Sequence, residues 1–312
     1  MSPDRPYAKD CPRDKEGKII VDLTNPPIIE DTDYFRPVAI HYQKEGCLTK
    51  LRPNPNPNSE YGKWVREETR RIFFGYVRPS DGAWVTGDMY FFLNYCPIVK
   101  VKRIQGNQGV RVVDFPDFLE GQWLKFMYID QARKNAKHGS ELASRGKGKS
   151  FTMASVLARR FILGEYNPID KKVEGKVESF VASYIKNYLN EDGILNKFEG
   201  YIDFCSENTE FPRKRLISSI NNMHWQMGFK ENGSEAKKGS LNEVIGVSVK
   251  DSPGKLRGKR GAFIGLEEFG SFPNLIELYG TLRPSMEDGD IVFGMIYCQG
   301  TAGDKDSDFS AA

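Results

Sequence analysis

The segment SELASRGKGKSFTMASVLARRFILG, Ser140 to Gly164, decides the fold. It begins with a short stretch typical of a strand, continues into a glycine-rich turn, and ends with apolar residues at helical spacing. In such an arrangement the N–H groups of the turn and the positive end of the helix bind phosphate oxygens. The sequence therefore predicts a phosphate-binding loop. Its contact residues are Ser144, Arg145, Gly146, Lys147, Gly148, Lys149 and Ser150.

Two residues at the end of this loop carry the predicted chemistry. Lys149 is expected to reach the outer phosphates of a nucleotide, and the Ser150 hydroxyl is expected to bind Mg²⁺. The common pattern G-x-x-x-x-G-K-[ST] would place glycine at position 143, where this chain has Ala143. Because Gly-Lys-Ser is short and frequent by chance, an ordinary surface turn remains the alternative for this segment taken alone.

An acidic pair follows a second apolar segment, GAFIGLEEFGSF, which is typical of a buried strand ending in Glu267 and Glu268. ATP hydrolysis needs one acid near the Mg²⁺ and one base that orients the attacking water. Consecutive residues at a strand end can supply both. We therefore assign Glu267 to the metal and Glu268 to water activation, with an exposed acidic turn as the alternative.

The apolar segment DIVFGMIYCQ runs directly into GTAG at positions 300 to 303. In this loop Thr301 could hydrogen-bond the γ-phosphate or the attacking water and so report the state of the nucleotide. A common Gly/Thr turn is the alternative. Gln122, beside Trp123, could bind the adenine edge through its amide, although a helix-surface amide explains a single Gln equally well.

Positive charge is unevenly distributed along the chain. The net charge is only +3, which gives weak support for nucleic-acid binding. Basic residues are nevertheless concentrated in segments 125–149 and 250–260, which could contact phosphate or could be plain solvated surface. Arg145, Arg257 and Arg260 are candidates to stabilise the transferring phosphoryl group, as arginine fingers from the same or a neighbouring subunit.

Composition and patterning predict three regions in the 312 residues. Residues 1–60, rich in Pro, Asn and charge, are expected to form an extended arm or linker rather than packed structure. Residues 61–110 are rich in aromatics, which are expected to pack a small subdomain, with stacking on nucleic acid as the alternative. Residues 111–312 form the predicted ATPase domain.

In the third region strands and helices alternate, which predicts a mainly parallel sheet covered on both faces. The fold class is therefore α/β, a P-loop NTPase of the ASCE (RecA-like) kind with an N-terminal extension. A helix is expected over YIKNYLNEDGILNKF, whereas residues 208–239 are polar and show no clear pattern. The five cysteines are scattered and no apolar run has the length of a membrane span, so a soluble cytoplasmic protein is expected.

Taken together and in order, these motifs resemble the large terminase subunit of tailed bacteriophages. Arg145 lies where that family often has an arginine in its phosphate loop, with Gly146 in place of the family's Gln. The sequence LRG before the acidic strand matches an Arg-Gly of the family, and this match supports Arg257 as an arginine-finger candidate. The remaining matches are Gly300 and Thr301 to the coupling motif and Gln122 to the adenine motif.

The resemblance implies a motor that hydrolyses ATP, with Mg²⁺, to drive double-stranded DNA into a procapsid. ATP would bind between Gln122 and the phosphate loop, and DNA would be held by its phosphates without sequence specificity. Family members form homo-oligomeric rings on a portal and work with a small terminase subunit, in the host cytoplasm and transiently attached to the procapsid. They also carry a C-terminal nuclease domain, which this sequence lacks, so an ATPase half is expected.

Two other functions compete with the motor. A helicase-like DNA translocase would need a second RecA-like domain, and few residues follow position 303. A nucleotide-gated DNA-binding protein would bind ATP but hydrolyse little of it. The presence of Glu268 favours turnover, because a site without hydrolysis does not need that carboxylate.

Overall fold

The chain forms two compact units, Met1–Asp130 and Gln131–Ala312. None of the helices in the described part of the chain is long and apolar enough to cross a membrane. The domain boundaries predicted from the sequence stay a prediction. The computed structural model describes residues 5–106, 108–250, 256 and 261–301.

Helices and short antiparallel hairpins make up the first unit. α2 begins after Ser59, whose Oγ accepts the N–H of Gly62 at 3.0 Å, and it ends before Gly75, where φ is +84°. The helices, in chain order up to the end of this unit, are α1 (Pro37–Glu45), α2 (Glu60–Phe74), α3 (Gly87–Tyr95) and α4 (Glu120–Lys134). The hairpins are β1 (Tyr76–Val77) with β2 (Trp84–Val85), and β3 (Ile98–Gln105) with β4 (Gln108–Asp114).

Aromatic side chains form the core of the first unit, as predicted from their density. α3 is apolar on all sides and is buried along almost its whole length. The hydroxyls of Tyr90 and Tyr95 each donate a 2.8 Å hydrogen bond to the buried carboxylate of Glu68, which also pairs with Arg71 at 2.9 Å. These partners satisfy a carboxylate that would otherwise be costly to bury.

Part of the first 60 residues is packed, which corrects the expectation of an extended arm for that part. Phe35 is fully buried, and the side chain of Asn94 holds its neighbours in place. The Asn94 amide accepts the N–H groups of Val38 and Ala39 at 3.1 and 3.2 Å and donates to the carbonyl of Phe35 at 3.0 Å. The Pro/Asn-rich composition gave no indication of the short helix α1, which contains Val38 and Ala39. This helix is stabilised by its contacts with α3 rather than by its local sequence.

The second unit contains a seven-stranded sheet in the order β5-β17-β14-β8-β13-β10-β9. These strands are β5 (Gly139–Leu142), β8 (Glu178–Ser183), β9 (Arg215–Ser219), β10 (His224–Met227), β13 (Glu243–Ser248), β14 (Phe263–Glu267) and β17 (Met295–Gly300). The short hairpins are β6 (Glu165–Asn167) with β7 (Lys172–Glu174), β11 (Phe229–Lys230) with β12 (Lys237–Lys238), and β15 (Glu287–Asp288) with β16 (Ile291–Val292). The helices are α5 (Lys149–Leu163), α6 (Ile194–Asn208) and α7 (Leu275–Leu282).

The first five strands of the sheet order run parallel, and β10 and β9 extend it antiparallel at one edge. β17 lies between the strand before the phosphate loop and the strand that ends in the acidic pair. This order is that of the ASCE, or RecA-like, group. The α/β class and the mainly parallel sheet predicted from the sequence are therefore confirmed.

Helices cover both faces of the sheet. On one face α5 approaches β14 so closely that a Cβ at Gly265 would lie 2.5 Å from the sulfur of Met153. On the other face Ile264 and Leu266 pack in a buried cluster with Leu282 of α7. The inner strands β8, β14 and β17 are buried along almost their whole length because both faces of the sheet are covered there.

One local prediction for this unit was wrong, and two other segments form structure that was not predicted. The helix expected over YIKNYLNEDGILNKF begins only at Ile194, because Glu191 and Asp192 adopt left-handed φ values of +50° and +68° that no helix contains. The unpatterned stretch 208–239 holds the antiparallel strands β9 and β10 and the hairpin β11–β12. The apolar segment DIVFGMIYCQ contains two strands, β16 and the greater part of β17.

A charge cluster anchors the C-terminal end of α5. Glu165 pairs with Arg159 at 3.0 Å, Arg160 at 2.6 Å and Arg133 at 3.3 Å, and the side chains of Arg159 and Arg160 are only 4% and 1% exposed. Burial raises the pKa of Glu165, but the three arginine charges outweigh burial and hold this pKa below its ordinary value. The resulting stabilisation is present at neutral pH and is lost only as the pH falls below the ordinary pKa of a glutamate.

We expect Glu165→Gln to lower the free energy of unfolding by about 3 kcal/mol, because it leaves buried guanidinium groups without a counter-charge. Urea denaturation of the full chain measures this loss. Glu210→Gln is the matched control, since Glu210 pairs with Arg213 at 3.5 Å on the surface with both side chains more than half exposed. The control should cost less than about 1 kcal/mol. Equal losses in the two variants would contradict a stabilising role for the cluster.

Candidate active site

The phosphate loop connects β5 to α5 at the edge where the parallel strands end. Gly146 and Gly148 have φ values of +81° and +79°, in the left-handed region that favours glycine. Gly148 is the N-cap of α5 and has no side chain that could cap the N–H groups of the first turn. The N-terminus of a helix with such a glycine cap is a position where backbone N–H groups can bind an anion.

Ala143, which departs from the common loop pattern, fits without strain. Its φ is not positive, and its N–H donates to the carbonyl of Gly300 at 3.1 Å. The Lys149 side chain lies inside the loop and is only 7% exposed. Its Nζ donates to the carbonyls of Ala143 at 2.8 Å and of Ser144 at 3.5 Å. The loop therefore forms with alanine at this position.

The first acid of the pair lies beside the end of the loop. Glu267 is 3% exposed, and its Oε1 accepts the Ser150 hydroxyl at 2.5 Å. Its Oε2 accepts a hydrogen bond from the side-chain amide of Gln299, which is fully buried on β17. Three neighbouring elements, α5, β14 and β17, thus fix this carboxylate. The role of Gln299 was missed from the sequence, where the only signal was a polar residue near the end of an apolar strand.

The second acid, Glu268, has a left-handed backbone with φ of +48° and ψ of +53°. For a residue other than glycine this conformation costs about 1–2 kcal/mol, and such strain concentrates at functional sites. The Glu268 carboxylate accepts the N–H of Thr301 at 2.9 Å and its hydroxyl at 2.8 Å. Glycine at position 300 lets the loop after β17 lie close to the backbone that follows Glu268. A Cβ at this position would lie only 3.1 Å from the backbone nitrogen of Phe269.

A cavity of about 600 Å³ opens onto the loop, within the roughly 300–1,000 Å³ of typical small-molecule sites. Four of its side chains were not expected from the sequence, namely those of Phe151, Tyr188, Lys197 and Ser271. The residues that line it are Arg145, Gly146, Lys147, Gly148, Lys149, Ser150, Phe151, Tyr188, Lys197, Glu268, Gly270, Ser271 and Thr301.

Most of the residues predicted from the sequence are thus brought together by the fold. Ser144 lies in the phosphate loop, where its carbonyl accepts a hydrogen bond from Lys149. Glu267 does not line the cavity, but its carboxylate accepts a hydrogen bond from Ser150, which does. Gln122 lies in the first unit, where its side chain is buried and its Oε1 has no hydrogen-bond partner among the described residues. Its predicted contact with adenine stays a prediction. Arg257 and Arg260 lie outside the described residues.

The Ser150 hydroxyl and the Glu267 carboxylate fit Mg²⁺, which prefers hard oxygen ligands. Among the residues that the structure describes, no group of three or more His, Cys, Asp or Glu could hold a metal by itself. Mg²⁺ usually binds through one or two carboxylates together with the phosphates of its substrate. The Ser150 hydroxyl and one Glu267 carboxylate, beside a loop that can bind phosphate, are a ligand set of this kind.

The sheet order, the loop and the acidic pair at a strand end define the α/β fold of the P-loop NTPases. No family model and no curated protein sequence matches the chain. Its structure is similar to those of large terminases from bacteriophages, three of which follow.

The ATPase domain of the large terminase of Thermus phage P74-26 has a TM-score of 0.38 and 14% identity, over 53% of this chain and 61% of that chain. The large terminase of bacteriophage HK97 has a TM-score of 0.44 and 12% identity, over 68% and 36%. A large terminase from a thermophilic bacteriophage, in complex with ADP, has a TM-score of 0.34 and 12% identity, over 52% and 33%. The matched region spans less than two thirds of each of these proteins, and at such identities the similarity concerns the fold alone.

Proposed function

We propose that this chain is an ATP hydrolase. The observation that carries the proposal is a single cavity lined by the phosphate loop, Glu268 and Thr301. Ser150 of the loop donates a hydrogen bond to Glu267, and Thr301 donates one to Glu268, so both acids of the pair are held at this cavity. Backbone N–H groups of the loop and Lys149 bind the phosphates. Glu268 accepts a proton from the attacking water and orients it.

Ser150 and Glu267 hold Mg²⁺ in this proposal. When bound, the metal neutralises charge that develops on the phosphate oxygens. Gln299 supports Glu267 by a hydrogen bond, which fixes the direction of the carboxylate. Because Glu267 is buried and Glu268 is not, the two acids are suited to different tasks, metal binding and contact with water.

The contact between Glu268 and Thr301 supports a coupling role for the loop after β17. The carboxylate that we assign as the base is held by the residue that we assign to sense the γ-phosphate. A change in the position of Thr301 would therefore change the position of the base. Loss of the γ-phosphate, sensed by Thr301, is thereby coupled to movement of the loop after β17.

The order of the motifs, which resembles that of large terminases, supports a finer proposal. ATP turnover drives double-stranded DNA into a procapsid in the host cytoplasm, and the chain acts in a homo-oligomeric ring with a portal and a small terminase subunit. An arginine of the same or a neighbouring subunit completes the site, with Arg145, Arg257 and Arg260 as candidates. DNA binds through its phosphates, so binding weakens steeply as salt rises.

The test is Mg²⁺-dependent ATP hydrolysis by the full chain, with and without double-stranded DNA. We expect turnover that DNA stimulates, and we expect Lys149→Ala to lose both nucleotide binding and turnover. Lys186→Ala, at an exposed position outside the cavity, is the matched control and should keep both.

The other outcomes separate the competing functions. ATP binding without turnover, with or without DNA, would favour a nucleotide-gated DNA-binding protein. Separation of the strands of a duplex would favour a helicase-like translocase. Absence of any nucleotide binding would refute the proposal.

A further inference from the structure

Lys197 lies in the first turns of α6 and lines the same cavity as the phosphate loop. Its Nζ donates hydrogen bonds to two neutral groups, the carbonyl of Gly193 at 3.2 Å and that of Asp192. Within the described residues, no carboxylate oxygen lies within 4 Å of this Nζ. The cavity wall therefore carries a cation without a direct counter-ion.

The surroundings of Lys197 make its charge costly. Burial lowers the pKa of this ammonium group, and the nearby charges of Asp192 and Glu267 only partly offset the effect. The ring of Phe151 lies 5.1 Å from Nζ and covers it on one side. An anion in the cavity would supply the missing counter-charge, because a charge that is removed from water needs a partner.

The position of Lys197 indicates which part of a nucleotide it would meet. Its Nζ lies over the ring of Phe151, which directly follows Ser150, the residue bonded to Glu267 at the proposed metal site. The cation therefore lies toward the outer phosphates, which the metal also binds, rather than toward the base. Lys149 does not fill this role alone, since its Nζ is bonded to carbonyls within the loop.

We propose that Lys197 is a second phosphate-binding cation, which contacts the terminal phosphate of a nucleoside triphosphate and makes the site prefer tri- to diphosphates. The proposal rests on the proposed function. It assigns Lys197 to binding and adds no chemical step. A purely structural role, in which Lys197 only braces the turn at Asp192 and Gly193, would not distinguish the two nucleotides.

The test compares the affinities of the full chain for ADP and for a non-hydrolysable ATP analogue, both with Mg²⁺. We expect Lys197→Met to weaken binding of the analogue by about 10- to 100-fold, the loss of one charge-assisted hydrogen bond, and to leave ADP binding unchanged. Lys197→Arg should restore most of the preference. Lys186→Met, at an exposed position outside the cavity, should behave as the unsubstituted chain.

Equal losses for both nucleotides in Lys197→Met, with a lower melting temperature, would overturn the inference in favour of the structural role. Unchanged affinities for both would overturn it as well. In either case the unsubstituted chain still binds ATP, so the proposed function survives. If the unsubstituted chain binds neither nucleotide, the proposed function fails and this inference fails with it.

Discussion

Glu268→Gln should lower ATP turnover by about 10²- to 10⁴-fold, the usual contribution of a general base. The affinity for ATP should stay unchanged, because the substitution removes basicity and leaves the phosphate loop intact. Single-turnover hydrolysis and equilibrium binding of ATP, measured on the same variant, separate the two effects.

In this structure Glu268→Gln is expected to remove the basic group without disturbing the contacts or the backbone of residue 268. Gln has the size of Glu, and its amide oxygen can still accept the hydrogen bonds of Thr301. The left-handed backbone at position 268 costs a similar amount for both residues, so folding should not change. Glu277→Gln, at an exposed position on α7, is the same chemical change away from the cavity and should leave turnover intact. Full activity in Glu268→Gln would show that another group is the base.

The sequence was sufficient to predict that the candidate site residues after the parallel strands lie together. The phosphate loop follows β5, the acidic pair ends β14, and Thr301 follows β17. Because the carboxyl ends of neighbouring parallel strands meet at one edge of a sheet, these local motifs had to lie close together once the fold class was known. The grouping of Lys149, Glu268 and Thr301 in one cavity is the structural result of that rule.

Other parts of the site depend on contacts that no local pattern records. Gln299 acts through Glu267, which is 32 residues away, and only the pairing of β14 with β17 places the two side chains together. Lys197 faces the cavity because α6 begins at Ile194, after the left-handed Glu191 and Asp192. A helix that began ten residues earlier, as the sequence suggested, would give no reason to single out this lysine.

The packed residues near the N-terminus escaped prediction for a related reason. Val38 and Ala39 are held by the side chain of Asn94, more than 50 residues away. Composition describes how a segment behaves alone, whereas long-range hydrogen bonds and burial decide whether it packs. The same holds for β9 and β10, whose pairing with the edge of the sheet outweighs their polar sequence.

Glu267→Gln should raise the Mg²⁺ concentration needed for half-maximal turnover by about 10- to 100-fold, the loss typical when a group that supports a metal site is removed. Its buried carboxylate accepts the Ser150 hydroxyl, and the proposed function assigns both residues to the same ion. Ser150→Ala should therefore have a similar effect. Titration of turnover with Mg²⁺ at saturating ATP measures both.

The double variant gives the decisive comparison, because groups that act through one metal do not contribute independently. We expect Glu267→Gln with Ser150→Ala to be little worse than the poorer single variant. Strictly multiplicative losses would mean that the two residues serve separate tasks, and the assignment of both to Mg²⁺ would be wrong. Gln299→Leu extends the test, since it removes only the support of Glu267 and should shift the Mg²⁺ requirement in the same direction by less.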